Sequence, residues 1–196
     1  MSSQDNNSHR VCVYCASSEL CDDAYKREAY RLGALLAESR VRIVYGGGGR
    51  GLMGQLAAGA LAGGGYVTGI MPRFMHQLEW GHTGLSELQI VEDMRERKHR
   101  MLTGSNAAVA LPGGCGTLEE LLEAVTLKRL GIYDQPIVMV NTRGYFDPLL
   151  DLFHRAVRER FMEPGHLELW RVAKNADEAV ELALPENAAM RQRQGH

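Results

Sequence analysis

The chain has 196 residues, 45% hydrophobic and 23% charged, with a formal net charge of −2. That suits one soluble globular domain with a single sizeable core, and the slight acidity gives no electrostatic reason to expect nucleic acid or a membrane as partner. No apolar run approaches the roughly 20 residues that cross a bilayer, and the polar start "MSSQDNNSHR" lacks a signal peptide's apolar region. A cytoplasmic protein is expected.

Apolar runs then alternate with helical patterns. "RVCVYCA" reads as a first strand. "DDAYKREAYRLGALLAES" follows, with Tyr25, Ala29, Leu32, Leu35 and Leu36 at helical spacing and Asp22 or Asp23 as cap. "VRIVYG" is a second strand, and a glycine-rich turn leads from it into a helix of small residues. "YVTGIMP" is a third strand, stopped by Pro72, with a polar loop after it. Next come the strand "LQIVE", the helix "DMRERKHRMLTGS", the strand "AAVALP" and a helix entered through "PGGCGT". "QPIVMVN", "DPLLDLFHRAVRERF", "LWRVA" and "NADEAVELAL" continue the alternation. Strict alternation implies an α/β protein, a Rossmann-like doubly wound parallel sheet with helices on both faces. Residues 10–185 form the single domain; residues 1–9 and the tail 186–196 are expected to be disordered. Ligands of such sheets bind beyond the strands' carboxyl ends, where strand order reverses. Both glycine-rich turns lie at such ends.

Cys12 and Cys15 resemble a CxxC, but on a strand residues three apart face opposite ways. With no second CxxC and no HExxH, no metal site is expected. "YGGGGRGLMG" contains GxGxxG twice, at Gly46, Gly48 and Gly51 and at Gly49, Gly51 and Gly54. A dinucleotide site would place an acid at the end of the next strand, which here reads "GIMPR". A P-loop would follow its last glycine with lysine, and Gly54 is followed by Gln55. What survives is a turn of bare amides, serving either an anion or close packing.

"PGGCGT" carries more chemistry. Gly113, Gly114 and Gly116 can turn their N–H groups into one concavity, aided by the positive end of the next helix. Thr117 can cap that helix and offer its hydroxyl to a phosphate. Lacking a lysine or metal ligands, the turn suits a monophosphate that is held rather than transferred. Glu120 has two readings: partner of Thr117 in a capping box, or a carboxylate facing the crevice and kept ionised by the helix terminus. Glu119 points about a quarter-turn away. In "MRERKHRM", Met94 and Met101 share one face and Arg97 and Arg100 another. The second is either a solvated basic face or brings Arg97 or Lys98 to the crevice.

Taken together, "GGGGRGLMG", "MRERKHRM" and "PGGCGTLEE" resemble the LONELY GUY family of cytokinin riboside 5'-monophosphate phosphoribohydrolases, whose patterns include PGGxGTxxE and an MHxRKxxM-like helix. The resemblance runs from about Val13 to Leu150. It implies hydrolysis of the N-glycosidic bond of an N6-modified AMP, giving the free base and ribose 5-phosphate without metal or cofactor. Arg97 and Glu120 become the catalytic pair. Gly114, Gly116 and Thr117 become phosphate holders, with Gly48 and Gly49 lining the pocket; Gly113, Arg97 and Lys98 stand beside them as phosphate-binding candidates from the residues themselves. Glu79 and Trp80 resemble the base-side wall, with Met94 beside them. The family's usual histidine in the helix pattern is Arg95 here. A homodimer or higher homo-oligomer is implied. Two alternatives remain: a broader nucleoside 5'-monophosphate glycosidase, and a non-catalytic nucleotide or cofactor carrier of the same fold. The label lysine decarboxylase, often given to such proteins, is disfavoured, because no lysine sits in a glycine-rich turn to form a Schiff base.

Overall fold

In a computed structural model, which describes residues 9–78 and 81–185, seven strands form one parallel sheet. Their order is β4-β3-β2-β1-β5-β6-β7. The strands are β1 (Arg10–Tyr14), β2 (Arg42–Tyr45), β3 (Val67–Pro72), β4 (Glu87–Val91), β5 (Ala107–Ala110), β6 (Ile137–Val140) and β7 (Arg171–Ala173). The ends expected to be disordered lie outside the described residues, apart from His9.

The pleat sorts β1 between two cores. Val11, Val13 and, just past the strand, Cys15 enter one, beneath the helices α1 (Asp23–Glu38), α2 (Gly51–Ala62) and α7 (Ala176–Ala183). Cys12 and Tyr14 enter the other, beneath α4 (Met94–Leu102), α5 (Cys115–Arg129) and α6 (Asp147–Arg158). Cys12 and Cys15 therefore face opposite ways, as a period of two requires. Burial pushes the Cys12 thiol up to about 12, which keeps it an inert small hydrophobe.

The segment after β3, expected as loop, contains a short helix, α3 (Arg73–Gln77). Pro72 precedes it with φ −64°, so the residue that was to stop the strand also opens a helix. Asp22 caps α1, Asp93 caps α4 and Asn175 caps α7, each through its side chain.

Winding direction places the site. From β1 the chain moves outward through β2 and β3 to β4, and α4 then carries it back across to β5 on the other side of β1. The turns after β1, β2 and β5 thus gather at the point of reversal. On the opposite flank α1 and α2 meet backbone to backbone. A Cβ at Gly33 would overlap the Leu56 carbonyl oxygen, and one at Gly59 the carbonyl of Tyr30. The small-residue pattern of α2 is explained by that approach.

Gly33→Ala should lower the unfolding free energy by about 1–3 kcal/mol through overpacking at a contact made of backbone, which cannot give way. Urea unfolding checks this, and an unchanged midpoint would mean that the two helices slide apart at no cost.

Candidate active site

The turns at the reversal enclose a crevice of about 550 Å³, a size that suits a nucleotide-sized ligand. One wall is the start of α5. There Gly114 is the N-cap residue, and no side chain caps it. The amides of Gly114, Cys115, Gly116 and Thr117 find no acceptor among the described residues; the first bonded one is Leu118 N–H, donating to the Gly114 carbonyl. A Cβ built at Gly114 or Gly116 would meet nothing within 4 Å. Both glycines are exposed, so a side chain at either would project into the open crevice mouth.

Thr117 and Glu120 correct the sequence reading. The helix begins before Thr117, which becomes its third residue, buried, with its hydroxyl packed beneath Gly113. No capping box forms. Glu120 lies in the second turn, 4% exposed, and one of its oxygens accepts from Arg97. Burial pushes its carboxyl above the ordinary glutamate value, against the opposing pull of the Arg97 guanidinium. Desolvation thus opposes the ionised form that the helix terminus is expected to favour.

Arg97 is the buried cation of the crevice. Its Nη1 donates to Glu120 Oε1 at 2.8 Å and its Nε to the Ile70 carbonyl at 3.1 Å. The side chain is 7% exposed. A Cβ at Gly46 would overlap Nη2, so the glycine turn after β2 yields the space that the guanidinium occupies. The solvated basic face does not exist at this position. Residue 97 falls angularly close to both Met94 and Met101 on a helix of 3.6 residues per turn, and all three turn inward. Arg100 instead stays out and pairs with Glu96 at 2.7 Å.

Lys98 and Gly113 do not line the crevice. Lys98 is one position round the helix, and it pairs with Glu119 and, at 2.7 Å, with Glu123. Those hydrogen bonds hold its ammonium above the ordinary value. It borders a larger groove of about 880 Å³ between α4 and α5. That groove meets neither glycine-rich turn, so the chemistry points to the smaller crevice. Gly113 sits behind the cradle, where its lack of a Cβ admits Thr117. Gly48, Gly49 and Met94 do line the crevice, while Glu79 and Trp80 lie outside the described residues.

Sequence reasoning missed several lining residues. Ser17 and Ser18 follow β1, and Arg50 stands within the glycine run. Small polar residues after a strand and a lone cation among glycines were the available signals. Met53, Met71 and Met75 join Met94 as an apolar, polarizable wall. They come from four separate segments and carry no sequence pattern.

A family model described as "Possible lysine decarboxylase" matches residues 53–183. Among curated proteins, the chain is 40% identical over 179 residues to a cytokinin riboside 5'-monophosphate phosphoribohydrolase of Arabidopsis thaliana, covering 91% of this chain and 83% of that one. It is 43% identical over 171 residues to a probable cytokinin riboside 5'-monophosphate phosphoribohydrolase of Oryza sativa subsp. japonica, covering 87% and 77%. Among solved structures, the molybdenum cofactor carrier protein of Chlamydomonas reinhardtii superposes with a TM-score of 0.69 at 19% identity, covering 97% of this chain and all of that one. The molybdenum cofactor binding protein of Rippkaea orientalis gives 0.68, also at 19%, covering 91% and 96%. At that identity the likeness shows the fold alone.

Arg97→Met, similar in length, leaves Glu120 buried without its cation. The variant should lose about 3–5 kcal/mol of stability at neutral pH, read by urea unfolding. The deficit should shrink as pH falls and Glu120 takes up a proton, because a carboxyl with a raised pKa weakens the fold only where it must ionise.

Proposed function

We propose that this chain, which belongs to the LONELY GUY family of cytokinin riboside 5'-monophosphate phosphoribohydrolases, hydrolyses the N-glycosidic bond of an N6-modified AMP to the free base and ribose 5-phosphate. The observation that carries the reading is one crevice lined both by the start of α5, whose first amides have no acceptor among the described residues, and by a buried carboxylate one turn further on.

The amides from Gly114 to Thr117 receive the 5'-phosphate, and the helix dipole adds to their pull. Phosphate binding positions the ribose, remote from the bond that breaks. As the C1'–N9 bond lengthens, its electron pair passes to the purine and the sugar acquires oxocarbenium character. The Glu120 carboxylate stabilises that positive charge and accepts a proton from the attacking water, whose oxygen bonds to C1', while the departing purine anion takes up a proton from solvent and leaves as the neutral base. Arg97 keeps Glu120 anionic in a site that disfavours charge, and its guanidinium stabilises electron density on the leaving purine. Met53, Met71, Met75 and Met94 offer an apolar surface to the base and its N6 substituent.

A lysine decarboxylase using a Schiff base would need a lysine in the crevice. The sequence has four, Lys26, Lys98, Lys128 and Lys174, and none lines it. A broader nucleoside 5'-monophosphate glycosidase is favoured by one feature, the methionine wall, because thioethers adapt to differently shaped bases. Homo-oligomerisation is part of the proposal, supported by Leu122, Leu130 and Ile132 exposed along and after α5. Within the described residues, no helix is long and apolar enough to cross a membrane.

The folded protein should release free base and ribose 5-phosphate in equal amounts from N6-isopentenyl-AMP, measured by chromatography. No release from that nucleotide or from AMP would sink the assignment, and equal rates on AMP, GMP and CMP would replace it with the broader glycosidase. Glu120→Ala should cut kcat by about 10²–10⁴-fold while nucleotide binding persists; unchanged turnover would leave Glu120 a purely structural group. Since burial holds the Glu120 carboxyl of the free protein above the ordinary glutamate value, and only the anion is active, kcat/KM should fall as pH is lowered through a midpoint above that value. A limb at or below the ordinary value would assign the titration elsewhere.

A further inference from the structure

The loop after β6 has no part in the site as described, yet it reaches the phosphate cradle from behind. Asn141 closes the loop: its Nδ2 donates to Asp147 Oδ1 and its Oδ1 accepts from Phe146 N–H, both at 2.7 Å. Inside it Arg143 and Gly144 take left-handed conformations, φ 58° and 72°, a conformation that disfavours arginine. Arg143 is tethered there by Asp22, its Nη1 2.5 Å from Oδ2. The result is a fixed orientation for Tyr145. Its ring stands edge-on to Tyr25 and to Phe146, with centroids 6.0 and 5.2 Å away. Its hydroxyl donates to the Gly113 carbonyl at 2.5 Å.

That carbonyl shares one planar trans peptide with the N–H of Gly114. In such a unit the oxygen and the hydrogen point in opposite directions. Drawing the oxygen back toward Tyr145 therefore aims the Gly114 N–H forward, and Gly114 lines the crevice. Glycine on both sides of this peptide makes the alternative, flipped orientation accessible. A hydroxyl behind it selects one.

We infer that Tyr145 is a positioning residue for phosphate recognition, setting the Gly113–Gly114 peptide so that the Gly114 amide donates to the substrate's 5'-phosphate. The inference rests on the nucleotide reading above. It assigns Tyr145 no contact with the reacting atoms, so its effect belongs in affinity for the phosphate-bearing group and not in the chemical step.

Tyr145→Phe keeps the ring and its edge-on contacts and deletes only the donor. The probes are ribose 5-phosphate and phosphate-free adenosine, their dissociation constants measured by calorimetry, with kcat and KM on AMP and a thermal melt alongside. For the variant, ribose 5-phosphate should bind about ten-fold more weakly, as loss of one well-aimed hydrogen bond to a charged group implies. KM should rise in step, with kcat within about two-fold and adenosine affinity and the melting midpoint unchanged. Unchanged ribose 5-phosphate affinity overturns the inference. An equal loss for adenosine overturns it as well, by reducing Tyr145 to general support of the fold. A wild-type protein that binds no ribose 5-phosphate and cleaves no nucleotide overturns the functional reading and this inference with it, whereas a wild type that does both while the variant matches it overturns the inference alone.

Discussion

The Arg97–Glu120 ion pair is the constraint around which the site is organised. Both side chains are almost wholly removed from water, where each charge alone would cost several kcal/mol. The pair is bearable because it is short, hydrogen-bonded and supplemented by the Ile70 carbonyl. It ties α4 to α5 and both to β3, three elements distant in sequence. Gly46 then follows as a consequence: a guanidinium can occupy that place only if the turn after β2 has no side chain there. The glycine run, which sequence alone assigns equally to anion binding or to packing, serves packing at this position.

Topology supplies the other half. Because α4 carries the chain from the β4 edge back to β5, it delivers Arg97 under the turn that follows β2 and opposite the start of α5. The anion end of the crevice is built from neutral dipoles instead of lysines. Amides cannot be neutralised by a nearby carboxylate as an ammonium would be, which lets Glu120 stand in the same crevice without cancelling the proposed phosphate cradle. Lys98, the nearest lysine in sequence, is held by two glutamates on the outer side of α4 and α5.

Much of the fold was legible in the sequence because alternation of strand and helix is a signal of period and needs no tertiary information. Seven strands, their parallel arrangement and the crevice at their carboxyl ends follow from it. The short α3 escaped because one turn and a half of helix carries no periodicity. Within the site, PGGCGT and the acid after it could be read locally. The exact start of α5 could not, since Thr117 fits a cap as well as an interior position, and the choice was made by the room beneath Gly113. Arg97 resisted for a similar reason: an arginine among charged neighbours looks solvated until a buried carboxylate twenty-three residues on is brought against it. Met53, Met71, Met75, Ser17 and Arg50 meet only in space, and Tyr145 acts through a backbone atom, which leaves no mark on residue type.

A carrier of an anionic nucleotide and an enzyme that cleaves it would share this fold and this cradle, and the two differ in what they ask of Glu120. For simple retention, a carboxylate in the crevice is a liability, because it repels the phosphate and resists its own burial. Nor is stability a sufficient reason for it, since buried ion pairs can often be replaced by apolar side chains at no loss. On the proposed reaction, the arrangement becomes favourable when positive charge develops nearby, on the sugar during departure of the base. An interaction that opposes the ground state and favours the transition state is what lowers a barrier. The raised pKa of Glu120 expresses that tension in the resting protein: burial opposes the anion, and the Arg97 guanidinium only partly offsets it.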